Sequence, residues 1–192
     1  MHVNVARVLL SQGRSKQAEQ ALRKAEDLYT YLDFPAEAGV THLAIGYVLL
    51  RQGDLNRAEK ALLEAKDLLH RSKSKVNEAL AISELGRVAR LRGKSDEALE
   101  LLEQARKQLS GRVDVSALAW TERELGICVT ETDAAGAEKR YRAAIALYKK
   151  TGDNLQLAAT YRLLGDLLNE QGKRDDALNA FRTGIIGLEA DL

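Results

Sequence analysis

A small residue preceded by an apolar one returns along this chain at Ala6, Gly46, Gly86, Gly126 and Gly165, at intervals of 40, 40, 40 and 39 residues. An array of similar units produces such a series, and an array excludes folds built around one closed core. The apolar partners are Val5, Ile45, Leu85, Leu125 and Leu164, and seven positions after the small residue a second glycine follows in four units, as Gly13, Gly53, Gly93 and Gly172. Twelve positions after the first small residue stands an alanine (Ala18, Ala58, Ala98, Ala177), with Ala137 at eleven in the fourth unit. Four further on comes a large residue (Leu22, Leu62, Leu102, Tyr141, Phe181), and three beyond it a small one (Ala25, Ala65, Ala105, Ala144, Gly184). Offsets of three, four and seven place these side chains on one helical face. Each unit therefore reads as a first helix ended by glycine and a second helix that meets it through small and large positions.

These residues resemble the tetratricopeptide repeat, whose unit is two antiparallel helices with Leu-Gly in the first and Ala, Phe and Ala in the second. The resemblance covers the whole chain. It implies an all-α, right-handed superhelical solenoid of antiparallel helix pairs, with five units and ten helices in a single domain over residues 1–192. The units fall at approximately 1–33, 34–73, 74–112, 113–152 and 153–192. Two features depart from the family pattern: its usual unit is about 34 residues, and it commonly closes on a proline that all five units lack. Gly46 to Ala58 keeps the family spacing, so the added residues lie between Ala65 and Gly86 and predict a longer second helix and a longer following first helix. Units of about 40 residues resemble those of helical arms in bacterial transcription regulators, of response-regulator phosphatases, and of animal scaffold proteins such as kinesin light chain.

Local signals set expectations for the turns. Ser15, Asp54 and Ser95 are candidate N-caps after Gly13, Gly53 and Gly93. Pro35, the sole proline, suits the first turn of a helix. The fourth unit has Asp133 where the second glycine is expected, so the segment Glu131-Thr132-Asp133-Ala134-Ala135-Gly136 must turn by another geometry. Ser110-Gly111-Arg112-Val113-Asp114 is the longest polar break and the expected hinge. With five residues before Ala6 and no polar capping helix before Leu192, the expectation is either a protein that begins in mid-array or a fragment of a longer one.

Composition narrows the function classes. A net charge of +1, with both signs mixed along the helices, argues against nucleic-acid binding, RNA included. No stretch is apolar and long enough to span a bilayer, and the start MHVNVARVLL lacks a secretory pattern, so a cytoplasmic location is expected. One cysteine, Cys128, excludes an internal disulfide and reads as a buried, inert thiol between Ile127 and Val129. His2, His42 and His70 fall in three different helices with no i, i+4 pair, which gives no local zinc motif and no metal assignment. Neither a phosphate-cradling glycine loop nor a nucleophile motif is present, and the carboxylates alternate with lysine and arginine as solvated faces do. No enzyme and no cofactor are expected.

What remains is the surface of the array. In the family, residues near the signature glycine of each first helix line the concave side. Carried onto this chain, those positions are Val40, Leu43, Tyr47 and Leu50, then Leu80, Ser83, Arg87 and Arg90. The next two units contribute Trp120, Arg123, Ile127 and Thr130, then Ala159, Arg162, Asp166 and Asn169. The resemblance thus implies a non-enzymatic protein-protein interaction module whose groove binds a peptide or protein segment. Tyr47 and Trp120 are its flat anchors, and Arg87, Arg90, Arg123 and Arg162 form a fork for acidic side chains. The alternative is a sensory or regulatory arm of a bacterial transcription regulator or signalling protein. At the positions where the family's chaperone-tail clamps carry lysine and asparagine stand Leu43, Tyr47, Ser83 and Arg87, so a heat-shock-protein C-terminus is not the expected ligand. Homo-oligomerisation through uncapped ends is a further expectation, with Val3, Val8 and Leu10 at one end and Ile185, Ile186 and Leu188 at the other.

Overall fold

Leu62 lies against the backbone of Gly46 so closely that a Cβ there would stand 2.6 Å from its Cγ. Gly126 gives the same room to Tyr141, whose Cε1 would come within 2.6 Å of an added Cβ. A small residue in one helix and a large one in the next thus lock each pair, which is why the two positions return together along the sequence. Leu62 is fully buried and Tyr141 nearly so. Burial of such a side chain contributes about 1.5–3 kcal/mol.

The computed structural model describes residues 2–111 and 114–189. Among them the chain is α-helical, in ten helices joined by short turns. Its contacts fall into two compact units, Met1–Gln108 and Leu109–Leu192. In unit 1, α1 (His2–Ser11) and α2 (Ser15–Tyr31) form the first pair, α3 (Pro35–Gln52) and α4 (Leu55–Arg71) the second, α5 (Lys75–Leu91) and α6 (Ser95–Leu109) the third. In unit 2, α7 (Val115–Val129) pairs with α8 (Ala134–Thr151), and α9 (Asn154–Glu170) with α10 (Arg174–Glu189). The length added to the repeat goes where the spacing put it: α4 and α5 have 17 residues each. Within unit 1 the core is aliphatic, centred on Leu22, Ile45, Val48, Leu49 and Leu62. Within unit 2 it is partly aromatic, with Tyr141 and Tyr148 beside Leu164, Leu167 and Leu168.

The turns inside the repeats explain the second glycine. Gly53 ends α3 with φ +79°, donating to the Leu50 carbonyl at 3.1 Å while the Asp54 N–H reaches back to Leu49 at 3.0 Å. That closure needs a left-handed residue, which glycine supplies at least cost. The same closure joins successive repeats, where it is made at Asp33 (φ 55°) and Lys73 (φ 58°). In the fourth repeat the turn is made differently. Thr130 ends α7 in a right-handed conformation, and Asp133 caps α8 by accepting from the Gly136 N–H at 2.8 Å.

Three local expectations are corrected. Ser15 and Ser95 are the first residues of α2 and α6 and not their caps; the residues before them, Arg14 and Lys94, accept the first helical bonds at 3.0 Å from Ala18 and Ala98. The helices start one residue earlier than a serine cap requires. Asp54 does cap α4, accepting from the Arg57 N–H at 3.1 Å. Cys128 is half-buried instead of buried, because the core side of α7 is taken by Leu125. Of the expected hinge, Arg112 and Val113 lie outside the described residues, as do the side chain of Val3 and the C-terminal residues 190–192.

Candidate functional site

In unit 1 the first helices of three successive repeats surround an apolar pocket of about 390 Å³. α3 supplies one helical stripe, Val40, Leu43, Ala44 and Tyr47, with Ala6 and Leu10 from α1 and Leu80 from α5. A single carboxylate, Glu84, belongs to its lining, and that side chain is itself buried. Arg87 reaches back one turn along α5 to meet it at 3.5 Å. The pocket is therefore an apolar receptacle with its one charge already matched, suited to an uncharged, bulky side chain.

The residues singled out from the sequence separate between the two units. Tyr47 lines the pocket as half-buried ring surface, while Arg87 and Arg90 are half-buried along α5. Leu50, at the register of Arg90, and Ser83, at the register of Leu43, are turned inward and buried, Leu50 in the core of unit 1. In unit 2, Arg123 is 7% exposed, its Cζ stacked 4.2 Å from the Trp120 ring centroid. Its guanidinium also hydrogen-bonds Gln156 and lies 3.7 Å from Glu124. That arrangement makes it an internal strut of α7 and α9. Arg162 is exposed and pairs with Asp166 at 3.0 Å. Glu122 pairs with Arg140 at 3.0 Å.

Glu84, like Ala44 and Val48, lines the pocket at a position that the groove register had not selected. The signal was present, since the same register two residues before the signature glycine is Ala44 or Leu163 in other repeats and carries a carboxylate only at Glu84 and Glu124. A second carboxylate of unit 1, Glu78, is buried at the start of α5. Burial pushes its carboxyl upward, but His70 at 2.8 Å and Lys75 at 3.1 Å outweigh that and hold it below the ordinary range. Among the described residues, no helix is long and apolar enough to cross a membrane.

Comparison with known proteins agrees with this architecture. A search of curated protein sequences finds no match. Among solved structures, BtubC (BKLC) from P. vanneervenii superposes with a TM-score of 0.75 at 17% identity, over 98% of this chain and 79% of that one. A kinesin light chain-like repeat protein of Podosopora anserina gives 0.68 at 16% identity, over 97% and 92%. A Rap protein complexed with competence and sporulation factor gives 0.88 at 16% identity, covering 97% of this chain but only 52% of its own. At these identities the likeness is one of fold. The tetratricopeptide repeat profiles match residues 1–30, 37–110 and 117–185. The chain belongs to the tetratricopeptide repeat family.

Proposed function

We propose that this chain is a non-enzymatic protein-interaction module that seats an apolar side chain of an extended or helical protein segment in the pocket of unit 1. The pocket itself carries the reading, because Leu10 of α1, Val40, Leu43 and Tyr47 of α3 and Leu80 of α5 offer a wide apolar concavity to solvent from three first helices. Acidic residues beside the anchor would share Arg87 with its partner Glu84, or meet Arg90 one turn on along α5. In unit 2 the exposed Arg162 is the remaining candidate for an acidic contact.

Selection of displayed random peptides on the whole chain tests this. The peptides recovered are expected to share a bulky apolar residue with nearby aspartate or glutamate. Leu43→Arg and Tyr47→Glu, with unchanged circular dichroism, are expected to weaken their binding at least tenfold, and Arg87→Glu to weaken only the acidic ones. Equal affinity for the wild type and Leu43→Arg rejects the pocket as the site.

A second reading, a regulatory arm within a larger signalling protein, is supported by the likeness to the Rap protein, whose length this chain half spans. It predicts that a bound peptide changes the scattering profile of the chain, and an unchanged profile on saturation argues against it.

A further inference from the structure

His42 is the buried histidine of α3, only 7% exposed. Its Nε2 lies 3.3 Å from Glu26 Oε1 on α2, and its Nδ1 lies 3.2 Å from Glu64 Oε2 on α4. One donor atom from each of the three residues falls within 4.8 Å of the other two. Despite its distance to Glu64, Nδ1 has no hydrogen-bond partner, so the approach is convergent in space without hydrogen-bond direction. Two carboxylates and a buried ring nitrogen without a hydrogen bond is a costly arrangement for helix packing alone.

We propose that Glu26, His42 and Glu64 bind one divalent transition-metal ion of the zinc class, clasping α2, α3 and α4. An ion takes only one nitrogen of the imidazole, so one of the two separations becomes an edge of its shell, roughly 3.3 Å for a tetrahedral ion with ligands at about 2.0–2.1 Å, while the third donor, within 4.8 Å of the others, moves in on binding. Two carboxylates and one neutral imidazole balance the charge of a divalent ion, and one coordination position is left for water. Glu64 is 44% exposed and opens the site to solvent. Arg23 holds the other oxygen of Glu26 at 2.9 Å, the kind of outer contact that orients a ligand. The repeat does not require the set, since the corresponding positions forty residues on are Lys66, Ile82 and Gln104. None of the three residues lines the apolar pocket, so the proposal stands apart from the interaction reading.

The test is a Zn²⁺ titration of the whole, chelator-treated chain against a chromophoric competitor, paired with melting curves with and without Zn²⁺. One ion per chain and a rise in melting temperature of roughly 5 °C at saturating metal are expected. Glu64→Gln, at a half-exposed position, is expected to weaken binding at least about tenfold, and His42→Gln to abolish it. His70→Gln, which removes the separate His70–Glu78 contact, is expected to leave binding unchanged. Absence of saturable binding overturns the proposal, as does wild-type affinity in Glu64→Gln.

Discussion

α3 and α7 occupy the same register of the repeat, eighty residues apart, and solve it in opposite ways. At the positions where α3 carries Val40, Leu43 and Ala44, α7 carries Trp120, Arg123 and Glu124. In unit 1 the shorter apolar set leaves an open pocket. In unit 2 the indole, the guanidinium and the carboxylate fill that register and are buried or half-buried against one another. One backbone pattern thus yields a receptacle in one half and an internal ionic strut in the other. The choice rests on side chains that the repeat signature leaves free.

The largest effect is expected from dismantling that strut. Arg123→Leu leaves Glu124, 2% exposed, without its guanidinium neighbour, and is expected to lower stability by about 3 kcal/mol in denaturant titration. The double variant Arg123→Leu, Glu124→Ala imports the unit 1 residues and should recover most of that loss, since an apolar pair of fitting size replaces a buried ionic one. Failure to recover means that the polar residues of α7 are held for more than each other.

Next in size is an alkaline effect confined to unit 2. Tyr148 is 2% exposed, and burial raises its hydroxyl to about 12; Arg123 opposes the shift, while Asp153 and Glu124 add to it. Below pH 10 folded and unfolded chains both keep the proton. Between 10 and about 12 the unfolded chain loses it first, so stability falls by about 2 kcal/mol across that window. Tyr148→Phe is expected to flatten this limb of the pH–melting curve; an unchanged slope assigns the loss to other groups.

Two turn substitutions sharpen the comparison at smaller cost. Asp133→Ala removes the cap that replaces a glycine closure and is expected to cost about 1 kcal/mol. Lys73→Gly is expected to stabilise by about 0.5 kcal/mol, because the position is left-handed at φ 58° and its counterpart in unit 2 is already Gly152 at φ 68°. Chemical denaturation reads both, and a destabilised Lys73→Gly shows that the lysine stem contributes packing that outweighs its backbone strain.

The sequence disclosed the helix pairs and the lock between them, because Gly46 with Leu62 and Gly126 with Tyr141 recur at fixed offsets. The left-handed turns at Asp33 and Lys73 were not legible, since neither residue announces that conformation as glycine does. Val40, Leu43 and Tyr47 share one face of α3, yet register could not tell that Leu50, one turn beyond Tyr47, and Ser83, the α5 counterpart of Leu43, are buried. Nor could it tell that Arg123 lies inside. Depth depends on the length of neighbouring side chains, which periodicity does not encode. The convergence of Glu26, His42 and Glu64 was equally invisible, because it joins three helices through separations of 16 and 22 residues that match no local motif.

Trp120, stacked beneath Arg123, is the only tryptophan in the chain. Its emission therefore watches one half of the molecule, whereas far-ultraviolet dichroism weighs every helix. Coincident denaturation curves from the two signals indicate halves that unfold together; separated curves resolve which half yields first, with no label and no truncation.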